Sequence, residues 1–250
     1  MTQTNPIAAV AAPVATADAG KARLFPAPPA PIPATSLADC DRMLTDLEVG
    51  RDRWVALSAA DRAKLLRACI PTMLAVSDRW ASVACSVKGY VEGSQGHGEE
   101  YLGGTLAVMR NLRLYAEALE ANGQPKLPKT WQRPDGQWVA RVFPQGAIDK
   151  ILFTGITCDI WIEPGQEPTQ GRIYRDKAAG KASPGGISVV LGAGNQSSIP
   201  AMDVLYKLVV DDEVCLLKMN PVNEQIGPVI EDAFRPLIDA GYLRDRKSVV

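Results

Sequence analysis

Apolar and polar positions divide the chain into helical stripes followed by short apolar runs. Ser36, with Asp39 three residues on, opens a helix carrying Leu37, Leu44, Leu47 and Val49. Ser58 and Asp61 open a second, with Leu65, Leu66, Cys69 and Met73 on one stripe. A long helix is expected over 101–119, where Leu102, Leu106, Met109, Leu112, Tyr115 and Leu119 share a face and Asn122-Gly123 provides the stop. Residues 131–142 read as a hairpin around Pro134-Asp135-Gly136. A strand is expected over 153–158, then a polar connector over 161–182.

The densest pattern lies near the end. Residues 187–191 form a short apolar run of the kind buried on both faces of a parallel sheet. A tight Gly192-Ala193-Gly194 turn follows. Residues 199–209 read as a helix with Pro200 in its first turn and Met202, Leu205, Leu208 and Val209 on one face. A second apolar run over 214–217 ends at Lys218. Strand, helix and strand make a βαβ unit, which requires a parallel sheet and a right-handed crossover. A further helix is expected over 221–240, with Pro228 in its first turn and Pro236 kinking or dividing it. The fold class is therefore α/β: an N-terminal helical region followed by part of a Rossmann-like parallel sheet, truncated.

In such sheets ligands lie beyond the carboxyl ends of the strands, beside helix N-termini. The Gly192–Asn195 turn and Lys218 both occupy such ends. As a dinucleotide fingerprint the turn is incomplete, because Ser197 stands where the third glycine belongs and Lys218 replaces the usual acid.

Composition removes several alternatives. In 250 residues, 27 basic and 28 acidic side chains leave a net charge of −1, which favours neither nucleic acid nor an anionic membrane as partner. The five cysteines form no C-x-x-C pair and read as reduced thiols of a cytoplasmic protein. No run is long enough to cross a bilayer. Residues 1–35, rich in alanine and proline, are expected to be a disordered tail. Residues 7–17 lack a preceding basic group and contain Pro13, so export is not expected. The single histidine, His97, sits in Gly-His-Gly-Glu-Glu, a spacing that fits no zinc motif and indicates a flexible loop over 94–100.

Ala193-Gly194-Asn195 and Leu216-Leu217-Lys218-Met219 together resemble the aldehyde dehydrogenase superfamily, whose members carry Pro-Trp-Asn and Val-Leu-Lys-Pro at the two strand ends. The resemblance covers roughly 139–244, is most specific over 186–244, and weakens in the helical region before it. There, Trp54 followed by Ser58 to Ala63 looks like the family's early helical segment and implies packing, not chemistry. The resemblance implies that Asn195 donates its side-chain amide to the oxyanion of a thiohemiacetal. It implies that Lys218 binds the adenine ribose of NAD or NADP, with Gly192, Ala193, Gly194 and Pro221 around the cofactor. Pro221 stands where the family often has a ribose-binding Glu, a change that removes a repulsion against a 2′-phosphate.

Phe153-Thr154-Gly155 resembles a later family motif, but it precedes the Asn195 turn, so Cys158 is not the nucleophile. No counterpart of the family's catalytic Cys or general-base Glu is found in these residues, and the chain alone is expected to be inactive. The implied parent oxidises a small-molecule aldehyde through a Cys thioester and is a homo-oligomer bridged through the hairpin over 131–142. A reductase of acyl thioesters and a non-catalytic oligomerisation module remain alternatives. Ala240-Gly241-Tyr242-Leu243 resembles the helix ending that leads to a third strand, which is expected to be missing, leaving the second strand as an open edge. Residues 245–250 back-translate to the start of a common sequencing adapter and are expected to be a non-native tail. The expected divisions are thus 1–35, 36–125, 126–182, 183–244 and 245–250.

Overall fold

The computed structural model describes residues 30–247. The expected disordered tail lies outside the described residues as far as residue 29, as do the last three residues of the expected non-native tail.

Helices α1 (Leu37–Ala56) and α2 (Ala59–Ala75) begin where their caps require: Ser36 and Ser58 each accept a hydrogen bond at 3.1 Å, from the amides of Asp39 and Asp61. Helix α3 (Ser77–Lys88) follows directly. Residues 94–100 are not a flexible loop. They form α4 (Gln95–Glu100), which continues through a π-helical stretch (Tyr101–Leu106) into α5 (Ala107–Glu120). Ser94 caps α4, and the Gly93 amide donates to His97 Nδ1 at 2.9 Å, so the histidine serves the turn that starts the helix.

The hairpin forms as expected from β1 (Lys129–Gln132) and β2 (Trp138–Phe143). Helix α6 (Ala147–Leu152) precedes β3 (Cys158–Trp161), which completes a three-stranded antiparallel sheet in the order β1-β2-β3. The strand expected over 153–158 starts only at Cys158, because Gly155 turns the chain at φ +82°. Helix α7 (Arg172–Ala178) lies within the polar connector.

The βαβ unit is present: β4 (Gly186–Leu191), α8 (Ile199–Tyr206) extended by a π-helical turn (Lys207–Asp211), and β5 (Glu213–Lys218), the two strands parallel. The 221–240 segment divides into a 3-10 helix (Pro221–Ile226), α9 (Gly227–Ala233) and α10 (Arg235–Asp239). Pro228 and Pro236 each occupy a first turn, and the break falls at Phe234.

Two expectations about the sheet are corrected. A third strand exists: β6 (Leu243–Arg246) pairs parallel with β5, from Cys215↔Leu243 to Lys218↔Arg246. Strand pairing is a backbone property, and the register of β6 buries Leu243 and Asp245 on one face. The order is β4-β5-β6, so β5 is central, and β4 is not buried on both faces. As an outer strand it leaves Val189 57 % and Leu191 72 % exposed.

The helices and the parallel sheet share one hydrophobic core, in which Trp54, Leu66, Leu112, Leu205, Leu217 and Phe234 are all buried. Arg62 is buried with them. It donates to the Trp54 carbonyl at 2.7 Å and pairs at 2.5 Å with buried Asp212, which also pairs with Lys177 at 2.9 Å. Burial pushes the Asp212 carboxyl up, but Ser183, Arg62 and Lys177 together hold it below the usual carboxylate range. The Trp54–Arg62 segment is packing, as its sequence implies.

Candidate functional site

The candidate site lies at the carboxyl ends of β4 and β5. Leu191 and Lys218 are register partners, and the Gly192 amide donates to the Lys218 carbonyl at 2.9 Å, so the loop that carries Asn195 departs beside Lys218. The intervening chain is strand, helix and strand, which the resemblance requires. Asn195 is exposed at the loop, and Lys218 is half-buried.

The loop is held from two sides. From the helical layer, Trp80 Nε1 donates to Ser197 Oγ at 2.9 Å, and Ser198 Oγ donates to the Gly103 carbonyl at 2.5 Å. The π-helical stretch supplies the contact: a Cβ on Gly104 would come within 3.1 Å of Ser197 Oγ. From the sheet side, Asn223 Nδ2 donates to the carbonyls of Ala193 and Gly194 at 3.2 and 3.0 Å. Ser197, where a dinucleotide fingerprint has glycine, is therefore a buried anchor. The two loop glycines serve internal packing. A Cβ on Gly192 would meet Pro200 Cγ at 2.9 Å, and one on Gly194 would meet Asn220 Oδ1 at 3.0 Å. Neither has a positive φ.

At the other end, Asn220 caps the 3-10 helix by accepting from the Val222 amide at 3.0 Å, and Pro221 occupies the first position of that helix. Arg246 is the register partner of Lys218, so the strand ends carry two cations side by side. The carboxylates of Glu231 and Asp245 are engaged by Lys247, at 2.7 and 2.6 Å. Burial raises the Asp245 carboxyl, partly opposed by Lys247. Among the described residues no carboxylate pairs with Lys218, and an ammonium beside a second cation could hold the phosphate-bearing adenosine half of a dinucleotide. The glycines fit less well, since the space they leave is filled by Pro200 and Asn220.

Cys158 is exposed on β3, whereas Cys40, Cys69, Cys85 and Cys215 are buried. Burial pushes the Cys69 thiol up to about 12 and raises Cys215 as well, so neither is a thiolate at neutral pH. Among the described residues no group of His, Cys, Asp and Glu is placed to hold a metal, and no helix is long and apolar enough to cross a membrane.

The structure brings the sequence candidates Asn195 and Lys218 to neighbouring strand ends; Trp80, the anchoring role of Ser197, and Asn223 were not among the candidates. A signal for the last was present in Asn220-Pro221-Val222-Asn223, an N-cap followed by a second asparagine in the first helical turn.

No protein-family model matches the chain, and no curated protein matches its sequence. Solved structures do. A benzaldehyde dehydrogenase from Corynebacterium glutamicum, described as NAD-dependent, aligns at 12 % identity and TM-score 0.51 over 86 % of this chain and 37 % of its own. An aldehyde dehydrogenase from Brucella melitensis biovar abortus 2308 aligns at 16 % identity and TM-score 0.49, over 86 % of this chain and 35 % of its own. A salicylaldehyde dehydrogenase from Pseudomonas putida G7 aligns at 13 % identity and TM-score 0.49 with the same coverages of 86 % and 35 %. The chain shares the fold of part of the first of these structures, and it spans little more than a third of that structure's length.

Proposed function

We propose that this chain is part of an NAD- or NADP-dependent aldehyde dehydrogenase-like oxidoreductase, to which it contributes an oxyanion donor and part of the cofactor site. The observation that carries the reading is the placement of Asn195 and Lys218 at adjacent strand ends of one βαβ unit. Asn195 sits on a loop fixed from both sides, so its amide can meet developing negative charge with little reorganisation. Lys218 holds the adenine ribose, and Pro221 leaves room for a 2′-phosphate, which extends the reading to NADP. When bound, the nicotinamide supplies the two-electron oxidant.

The substrate in this reading is a small-molecule aldehyde, and a thiolate outside the segments described attacks it, consistent with the buried or remote positions of these five cysteines. The protein is read as cytoplasmic from its free thiols and as a homo-oligomer from the open antiparallel sheet. There, β1 and β3 are almost wholly exposed and Ile151, Leu152, Ile160 and Trp161 face outward.

Calorimetric titration of the chain with NAD⁺ and NADP⁺ tests the cofactor half. Binding that weakens about tenfold or more in Lys218→Ala supports it. Uptake of neither dinucleotide, or equal affinity in the variant, refutes it.

A further inference from the structure

We propose that Asn223 is a positioning residue for Asn195, and that it couples the two halves of the site. The inference rests on the reading of Asn195 as the oxyanion donor. The Asn223 side chain is 1 % exposed, and its amide nitrogen donates to two consecutive loop carbonyls, those of Ala193 and Gly194. Two bonds to successive peptide units fix the orientation of both planes, and the next residue is Asn195. A carboxamide suits this role because it offers two N–H groups from one nitrogen. Serine or threonine would satisfy only one of the carbonyls.

Asn223 is itself held. Its backbone amide donates to the Asn220 carbonyl at 2.9 Å, and the Asn220 side chain caps the same turn while lying against Gly194. Residues 220–223 are thus a small rigid clasp mounted on the end of β5, two residues beyond Lys218. A displacement of the chain at Lys218, such as cofactor contact there would impose, is carried through that clasp to the loop of Asn195. The serine anchors on the opposite side leave the first half of the loop untouched, so removing Asn223 frees Ala193 to Asn195 specifically.

NMR relaxation on the full chain tests this. In the wild type, the backbone of Ala193 to Asn195 is expected to be as ordered as the strands, with order parameters near 0.85, and the Asn223 carboxamide protons are expected to exchange slowly. In Asn223→Ala, and in the isosteric Asn223→Asp, which replaces the donor with an oxygen, order parameters at those residues fall below about 0.6 while those of β5 are unchanged. Addition of NAD⁺ or NADP⁺ rigidifies the loop further in the wild type only. A loop equally ordered in both variants overturns the proposal, as does loss of order throughout β5, which would mark a merely structural role. Should Asn223→Ala not fold, the Asn223→Asp relaxation and the wild-type carboxamide exchange decide. A wild-type chain that takes up neither dinucleotide defeats the cofactor reading, and the relaxation comparison still decides the clasp.

Discussion

The two sheets of this chain have the same number of strands and opposite relations to their surroundings. In the parallel sheet, β5 is buried along its length, with only Glu213 and Lys218 at its ends reaching solvent. In the antiparallel sheet, β3 is exposed at every position, and the apolar side chains of α6 beside it also face outward, Ile151 at 74 % and Trp161 of β3 at 59 % exposure. One sheet takes its stability from a core shared with the helices. The other is tied down at few points, among them the ion pair of Arg110 with Asp149 at 2.9 Å and the Arg110 guanidinium over Phe143. The contrast teaches that the candidate site sits on the sheet that shares the core, while the antiparallel sheet leaves apolar side chains uncovered.

The comparison can be broken most directly at Arg62. Arg62→Ala leaves Asp212 buried with one cation fewer and is expected to cost about 3–5 kcal/mol, read from urea unfolding. A similar test sets Leu217→Ala in β5, expected to cost about 2–5 kcal/mol, against Ile160→Ala in β3, expected within about 0.5 kcal/mol of wild type. Equal losses would erase the distinction between the sheets.

Arg110→Ala addresses the tether. It removes a hydrogen-bonded partner from buried Asp149, an effect of roughly 1–3 kcal/mol. Limited proteolysis should quicken between residues 125 and 170 before the rest of the chain becomes sensitive. The Arg110 hydrogen bond, opposed by burial, holds the Asp149 carboxyl below its ordinary value. Its contribution is therefore present above the unfolded-state pKa and lost as the pH falls through the lowered folded value. Acidification of the wild type should expose the same cleavage sites.

A modest effect of opposite sign is expected at Asp245, a carboxylate in a buried position of β6 whose pKa is raised chiefly by burial. Asp245→Val should stabilise by about 1 kcal/mol at neutral pH. A raised folded pKa favours the wild type as it protonates, so the advantage of the variant should shrink as the pH falls. Thermal unfolding across a pH series measures it.

What was legible in the sequence follows the same division. Elements with a cap, a proline or an uninterrupted apolar run, such as α1, α2, β4, β5 and the break before Arg235, could be read directly because each signal is local. The third strand could not, since Leu243-Arg244-Asp245-Arg246 has little strand character and its pairing is supplied by β5. The helix over 95–100 was hidden by its glycines, which disfavour helix locally and are overruled by the Ser94 cap and the continuation into α5. At the site, Asn195 and Lys218 were legible from strand ends. Trp80 was not, because a hydrogen bond between residues so distant in sequence leaves no local trace, and the Asn220-Pro221-Val222-Asn223 pattern marks a helix start without showing which loop Asn223 binds.

A final consequence belongs to Gly50. A Cβ at that position would lie 2.1 Å from the Gly241 carbonyl oxygen, so the first helix rests backbone to backbone on the turn that leads into the last strand. Trp54 of the same helix meets the Tyr242 ring edge-on at 5.0 Å between centroids, and Arg53 donates to the Ala240 carbonyl at 2.9 Å. During synthesis that seat does not exist until nearly two hundred further residues have left the ribosome. Until then α1 can pack on β4 and β5, but its backbone seat at Gly50 stays empty.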